Sequence, residues 1–132
     1  MTNQTAPHDA TILVAEDEDD LRKVVRLLLG RAGFTVHEAR TGREALDLVL
    51  EHGPEIDAVL LDVMMPEMNG HEALPVMREA VPDLPVVFCS GFDENEVAEH
   101  LSNPSAYTAF LAKPFDRVVL VEQMQRAVAS RS

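Results

Sequence analysis

The stretch AVLLD at residues 58–62 decides the fold, because four apolar residues in succession lead directly to an aspartate. Side chains alternate between the two faces of a strand, so a run of this kind is apolar on both faces. Strands of that character are typical of the centre of a parallel sheet that helices cover on both sides. The run VVF at residues 86–88 has the same character. We therefore expect a parallel sheet in which one central strand ends at Asp62.

Strands and helices alternate along the whole sequence. Further β-rich runs are expected at residues 11–15, 34–38, 85–89 and 109–112. Helical spacing of apolar residues predicts a helix that ends near Gly30 and Gly33, one that follows an N-cap at Thr41, and three more at 70–80, 93–101 and 116–129. Five strand–helix units predict an α/β fold, a three-layer sandwich with a five-stranded parallel sheet in the middle.

The apolar stripes of three helices are expected to face the sheet. Residues at positions i, i+3, i+4 and i+7 of a helix share one face. The expected buried stripes are Leu21, Val24, Val25 and Leu28; Ala45, Leu46, Val49 and Leu50; and Val121, Met124 and Val128.

The length and composition indicate one soluble domain. The chain has 132 residues, of which 46% are hydrophobic, and this is enough for a single core. Residues 1–10 are polar and without pattern, so we expect a disordered lead-in there, followed by the domain over 11–130. No apolar run is long enough to span a bilayer, and the N-terminus shows no secretory signal pattern.

The charge and the cysteine content indicate in which compartment the protein is located and which classes of partner it binds. There are 23 acidic and 11 basic residues, and the formal net charge of −12 repels nucleic acid. The one cysteine, Cys89, cannot form an internal disulfide, which fits a reducing compartment. We therefore expect a cytoplasmic protein that binds neither nucleic acid directly nor a membrane.

The chemically distinctive residues all lie at the carboxyl ends of strands. Glu16 and Asp17 follow the first strand, Asp62 closes the third, Ser90 follows the fourth and Lys113 follows the fifth. The carboxyl ends of parallel strands lie along the same edge of a sheet, and ligands bind there. We therefore expect three carboxylates, one hydroxyl and one ammonium group to share this edge.

Three carboxylates at one edge require a cation or a proton. Two carboxylates about 5 Å apart repel each other by roughly 3 kcal/mol at an effective dielectric constant of about 20. Oxygen ligands suit Mg²⁺, with Mn²⁺ as an alternative. With that metal and the positive charge of Lys113, Asp62 could attack phosphorus as a carboxylate nucleophile. The product would be an aspartyl phosphate.

Four blocks of the sequence resemble the signature blocks of the response-regulator receiver family of two-component signal transduction. They are LVAEDE at 13–18, LDVMMP at 61–66 with Asn69-Gly70, Ser90-Gly91, and FLAKPF at 110–115. The resemblance extends from about residue 11 to residue 128. It implies the flavodoxin-like fold with strand order 2-1-3-4-5. It also implies that the phosphoryl donor is a phosphohistidine on a separate histidine kinase or histidine phosphotransfer protein.

The resemblance implies a role for each acidic residue at this edge. Asp62 corresponds to the phosphoacceptor and is also a metal ligand. Asp17 corresponds to a direct Mg²⁺ ligand, and Glu16 to its partner that usually acts through water. Met64 corresponds to the position whose backbone carbonyl completes the metal site.

The resemblance also implies catalytic and switching roles. Ser90 corresponds to the hydroxyl that bonds the phosphoryl oxygen, and Lys113 to the lysine that pairs with it, commonly next to a cis bond to Pro114. Phe110 corresponds to the aromatic switch residue, without the hydroxyl that a tyrosine would supply. Phosphorylation would then change the surface formed by the helix at 93–101, the fifth strand and the last helix, and so control a downstream protein.

Three other interpretations compete with that of a phosphorylated receiver. A phosphatase of the haloacid dehalogenase type would need a second aspartate two residues after Asp62, where Met64 stands. A calcium-binding EF-hand loop would need glycine where Arg22 stands. A receiver-like module without phosphorylation is disfavoured, because all the expected reactive residues are present. We expect a self-phosphorylating and self-dephosphorylating switch, not a turnover enzyme, and either a stand-alone regulator or part of a hybrid histidine kinase.

Overall fold

Five parallel strands form one sheet in the computed structural model, which describes residues 10–65, 67–91 and 106–131. The strands are β1 (Thr11–Ala15), β2 (Thr35–Ala39), β3 (Ala58–Asp62), β4 (Val86–Ser90) and β5 (Thr108–Ala112). Their order across the sheet is β2-β1-β3-β4-β5, as predicted, and every neighbouring pair is parallel. The strands expected at 34–38, 85–89 and 109–112 begin one residue away from those observed.

Four helices accompany the sheet in the described residues. They are α1 (Asp19–Arg31), α2 (Gly42–His52), α3 (Gly70–Ala80) and α4 (Arg117–Ala129), with a 3-10 turn at Gly53–Glu55. The expected bounds of α3 are confirmed, and α4 begins one residue later than expected because Asp116 is its N-cap. The helix predicted at 93–101 lies outside the described residues. None of the described helices is long and apolar enough to cross a membrane.

Apolar side chains cover both faces of the sheet, which confirms the expected sandwich. All five residues of β3 are buried. Val59 and Leu61 belong to the core under α2 and α3, whereas Ala58 and Leu60 belong to the core under α1 and α4. A strand that is apolar on both faces therefore has helices on both sides of it.

The buried face of α1 differs from the expected stripe. The structure buries Val25 and Leu29 together with Arg22, whereas the expected Val24 is 49% exposed. Apolar residues cover more than one face of this helix, so the helical period fits two stripes that differ by one position. The stripe that faces the sheet is the one that contains a charged residue.

The stripes of α2 and α4 are partly confirmed. Three of the four residues expected in α2 are buried, and Leu50 is exposed. In α4 the expected Met124 is buried, but Val121 and Val128 are only half-buried at the margin of the core. The other buried positions of α4 are Leu120 and Ala127.

The residue before β1 already belongs to the folded domain. Ala10 is buried, and its carbonyl accepts a hydrogen bond from the backbone N–H of Thr35 at 2.9 Å. This bond extends the pairing of β1 with β2, whereas the sequence placed Ala10 in the lead-in. Residues 1–9 of the expected lead-in lie outside the described residues.

Two helical glycines differ in the space around them. Gly42 is the first residue of α2, and a Cβ atom added to it would overlap the backbone carbonyl of Met68, in the loop before α3. A Cβ atom added to Gly30 of α1 would meet nothing within 4 Å beyond the local helix backbone. Of these two glycines, Gly42 is therefore the one that close packing requires.

We predict that Gly42→Ala and Gly30→Ala change stability in opposite directions. Gly42→Ala should lower the free energy of unfolding by about 1–3 kcal/mol, because the backbone carbonyl of Met68 must move. Gly30→Ala should raise it by up to about 1 kcal/mol, because alanine has the higher helix propensity. Urea denaturation measures both changes. A Gly42→Ala variant as stable as the wild type would contradict the close approach of α2 to this loop.

Candidate functional site

Three carboxylates converge at the carboxyl edge of the sheet. Glu16 and Asp17 follow β1, and Asp62 is the last residue of the neighbouring strand β3. Each residue offers one oxygen, and these oxygens all lie within 4.8 Å of one another. Glu16 and Asp62 are 5% and 3% exposed, whereas Asp17 is open to solvent. The structure thus brings together the three acids that the sequence singles out.

The ammonium group of Lys113 reaches this cluster from the end of β5. Its Nζ lies 2.8 Å from Glu16 Oε1 and 3.4 Å from Asp62 Oδ2. The backbone N–H of Lys113 donates to the carbonyl of Ser90 at 2.8 Å, which fixes the lysine against the end of β4. The peptide between Lys113 and Pro114 is cis. Lys113 therefore contacts two carboxylates that follow different strands.

Burial and repulsion disfavour the ionised form of Asp62. Burial is the larger effect and the negative charge of Glu16 adds to it, so the pKa of Asp62 rises from 3.8 to about 7. Lys113 opposes this rise, and so does the backbone N–H of Met64, which donates to Asp62 Oδ1 at 3.3 Å. In the metal-free protein, Asp62 is therefore only partly ionised at neutral pH.

The lysine remains charged, and the cluster as a whole remains negative. Burial alone would lower the pKa of Lys113, but the hydrogen bond to Glu16 and the charge of Asp62 raise it above its usual 10.5. With all three carboxylates ionised, as a metal site requires, the cluster and the ammonium group would sum to −2. Carboxylate oxygens are the ligands that Mg²⁺ prefers, and a divalent ion would bring the sum to zero. The donor set therefore fits Mg²⁺.

The loop after β3 holds Asp62 in place. Met64 has a side chain that is 57% exposed, while its backbone N–H bonds the Asp62 carboxylate. The backbone N–H of Gly70 donates to the carbonyl of Val63 at 2.9 Å, and a Cβ atom added to Gly70 would lie 2.7 Å from the Asp62 carbonyl oxygen. The start of α3 therefore packs directly against the end of β3. The metal-binding role expected of the Met64 carbonyl stays a prediction.

Ser90 and Phe110 lie on the neighbouring strands β4 and β5. Ser90 ends β4 and is buried. Phe110 is half-buried, pairs in register with Phe88 and packs against the core under α2 and α3. Ser90 stands two residues after Phe88, so its side chain is on the same face of the sheet as both rings. The two expected switch residues therefore share one face.

Cys89 lies in the strand expected at 85–89 and is buried. It is the register partner of Asp62 on β4 and is 2% exposed. Burial raises the pKa of its thiol to about 12. The thiol therefore stays protonated at neutral pH.

Arg22 was not singled out for function in the sequence, although it contacts this region. It is 8% exposed, and its Nη1 donates to the backbone carbonyl of Glu16 at 2.9 Å. From the sequence alone, Arg22 is informative only because a calcium-binding EF-hand loop would need glycine at its position. A signal was available, because Arg22, Val25 and Leu29 share one helix face at positions i, i+3 and i+7. A charged residue on a buried face requires partners there.

The sequence matches a family model over most of its length. The model described as response regulator receiver domain matches residues 12–125. Among curated proteins, sensor kinase CckA of Brucella abortus (strain 2308) is 46% identical over 107 residues, which make up 80% of this chain and 11% of that protein. The chain spans between 11% and 51% of the length of the first curated relatives that it matches.

Solved structures of the same family superpose on the fold. A response regulator receiver domain protein from Clostridium thermocellum gives a TM-score of 0.84 at 26% sequence identity, covering 92% of this chain and 96% of that one. A chain of the CheX-CheY-BeF3-Mg complex from Borrelia burgdorferi gives 0.81 at 28% identity, covering 89% of this chain and 87% of that one. This protein therefore belongs to the response regulator receiver domain family, found in two-component response regulators and hybrid kinases.

Proposed function

We propose that Asp62 accepts a phosphoryl group from a phosphohistidine of a sensor kinase or a histidine phosphotransfer protein, and that the chain is a switch in a phosphorelay. The observation that carries the proposal is the buried Asp62 carboxylate, with Lys113 at 3.4 Å and two further carboxylates within 4.8 Å. A carboxylate beside a fixed cation and a set of metal ligands is suited to attack on phosphorus. A similar curated protein is a sensor kinase, and a similar structure is a complex with BeF3 and Mg, which supports the proposal.

The transfer exchanges one bond to phosphorus for another. An oxygen of Asp62 attacks phosphorus while the bond from phosphorus to the imidazole nitrogen breaks, and the electron pair of that bond stays with the nitrogen. Lys113 offsets the charge of the phosphoryl oxygens, and the hydroxyl of Ser90 donates a hydrogen bond to one of them. Water later attacks phosphorus, which releases inorganic phosphate and restores the carboxylate. The chain therefore turns itself off and has no external substrate to turn over.

The acidic cluster would hold Mg²⁺, or Mn²⁺, beside the reacting carboxylate. Its ligands would be Glu16, Asp17, Asp62 and the backbone carbonyl of Met64. When bound, the metal supplies positive charge that offsets the carboxylates and the incoming phosphoryl oxygens. Asp62 would then be ionised at neutral pH, which is the form that attacks phosphorus. Lys113 would exchange part of its contact with Glu16 for one with the phosphoryl group.

The output would be a change on the β4–β5 side of the sheet. If Ser90 bonds the phosphoryl oxygen, it leaves space that the ring of Phe110 can enter, because both side chains lie on one face. The surface formed by the helix predicted at 93–101, β5 and α4 would change with that ring and control a downstream protein. The net charge of −12 disfavours nucleic acid as a ligand, so the expected partners are proteins.

We predict that Mg²⁺ and acetyl phosphate add one phosphoryl group to this protein at Asp62. The acyl phosphate should be stable in acid and labile in base, and intact-mass spectrometry measures it. Asp62→Asn should abolish the addition, whereas Asp47→Asn should not, because Asp47 is an exposed residue of α2 paired with Arg43. Addition at the wild-type level in Asp62→Asn would contradict the proposed function.

Mg²⁺ affinity should fall further in Asp17→Asn than in Glu16→Gln. Glu16 already has the ammonium group of Lys113 at 2.8 Å, and the backbone N–H of Glu18 donates to it at 3.0 Å, so less of its charge is available to a metal. Asp17 is open to solvent and corresponds to the direct ligand. Calorimetric titration with Mg²⁺ measures both losses. If Glu16→Gln loses more affinity, the two roles are reversed.

In the presence of a chelator at pH 8, Asp62→Asn should be more stable than the wild type by roughly 1–3 kcal/mol. Burial and the negative charge of Glu16 destabilise the ionised carboxylate of Asp62. The amide that replaces it in the variant is uncharged and avoids this cost. The pKa of Asp62 is about 7 in the folded protein and 3.8 for the ordinary group, so the folded state binds more protons between these values. The contribution of Asp62 to stability therefore falls as the pH rises through that interval.

Urea melts of both proteins between pH 4 and pH 8 measure this contribution. The advantage of Asp62→Asn should be small near pH 4, grow as the pH rises and level off above about pH 7. Excess Mg²⁺ should shrink or invert it, because the wild type gains more binding energy than the variant. A wild type that is more stable than Asp62→Asn in chelator at pH 8 would mean that the carboxylates are not crowded together.

A further inference from the structure

We propose that Arg22 is a positioning residue for the acidic cluster, because its buried guanidinium group holds the peptide that joins Glu16 to Asp17. This inference rests on the proposed function of that cluster. Arg22 would touch neither the metal nor the phosphoryl group and would act only through the backbone of the loop. It would give α1 a part in setting the geometry of the site.

The guanidinium group of Arg22 has three acceptors in three directions. Its Nη1 donates to the backbone carbonyl of Glu16 at 2.9 Å, its Nη2 to Asp19 Oδ1 at 2.6 Å, and its Nε to Glu38 Oε1 at 3.2 Å. The planar fork of an arginine fixes these directions relative to one another, which a lysine cannot do. The group is therefore anchored to α1 through Asp19 and to β2 through Glu38.

The contact with Glu16 fixes more than one oxygen atom. The carbonyl of Glu16 and the amide of Asp17 belong to one planar peptide, so holding the carbonyl restricts the direction of both residues. The backbone N–H of Glu16 is held as well, because it donates to the carbonyl of Ala39 in β2 at 3.0 Å. The loop that carries two of the three carboxylates is thus secured from β2 and from α1.

The neighbouring Arg26 provides a matched control. It is also on α1, and its Nε lies 3.1 Å from Glu38 Oε2. Arg22 and Arg26 therefore share the Glu38 carboxylate and carry the same charge. Of the two arginines, Arg22 is the one that donates to the Glu16 carbonyl. A comparison of the two arginines separates the contacts of Arg22 with the Glu16 carbonyl and with Asp19 from the loss of a charge and of a Glu38 ion pair.

The sign of the effect on Mg²⁺ binding distinguishes positioning from simple electrostatics. Removing a positive charge near three carboxylates should by itself tighten the binding of a divalent cation. Loosening the loop should weaken it, and the loss of an outer partner typically weakens metal binding by about 10–100-fold. Positioning by Arg22 therefore predicts a change opposite to that expected from its charge.

Calorimetric titration with Mg²⁺ of the wild type, Arg22→Met, Arg22→Lys and Arg26→Met tests the proposal. Arg22→Met should bind Mg²⁺ about tenfold more weakly or worse. Arg22→Lys, which keeps the charge but not the fork, should lie between it and the wild type. Arg26→Met should bind as well as the wild type or more tightly. Binding by Arg22→Met and Arg22→Lys that equals or exceeds that of the wild type would overturn the proposal.

Amide hydrogen exchange in chelator gives a second readout that needs neither metal nor phosphorylation. The amides of residues 16–18 should exchange faster in Arg22→Met and Arg22→Lys than in Arg26→Met at matched global stability. Unchanged exchange of these amides in Arg22→Lys would also overturn the proposal, even if Arg22→Met is too unstable to study. If the wild type takes up neither Mg²⁺ nor a phosphoryl group, the proposed function fails, and this exchange comparison still decides whether Arg22 holds the loop.

Discussion

The repulsion among Glu16, Asp17 and Asp62 is the constraint on which the rest of the site depends. Their oxygens lie within 4.8 Å of one another, and two of the three side chains are buried. Lys113 offsets only part of this charge, from 2.8 Å at Glu16 and 3.4 Å at Asp62. Sites built for chemistry commonly carry such a cost in stability. A divalent cation would offset this cost, and without one burial and the charge of Glu16 raise the pKa of Asp62 to about 7.

The order of the strands makes this crowding unavoidable. β1 and β3 are neighbours, so the acids that follow one strand meet the acid that ends the other. β5 is separated from β3 by β4, which places it almost 10 Å away at about 4.8 Å per strand, and only a long side chain such as that of Lys113 spans this gap. The sandwich could be predicted from the residues, because the run at 58–62 is apolar on both faces and requires helices on both sides of it, whereas the strand order was implied by the resemblance to the receiver family.

The limits of sequence reasoning lie in side-chain contacts. The pattern places Lys113 and the acids on one edge of the sheet, but it does not show that Glu16 is the nearer partner of the lysine. It placed Val24 in the buried stripe of α1, because the helical period fits two stripes one residue apart. It gave no role to Arg22, since arginine is expected at the surface and the Glu16 carbonyl is an acceptor that the sequence does not reveal.

The carboxyl group of Asp62 reports on this crowding most directly. A carbon-13 NMR titration of the Asp62 side chain, in chelator and in excess Mg²⁺, measures its pKa in both states. We expect a pKa near neutrality in chelator, because burial and Glu16 disfavour the charge, and a much lower pKa with Mg²⁺ bound. An ordinary carboxyl pKa near 4 in chelator, unchanged by Mg²⁺, would contradict the account, since it would mean that Asp62 is neither buried against Glu16 nor coupled to a metal site.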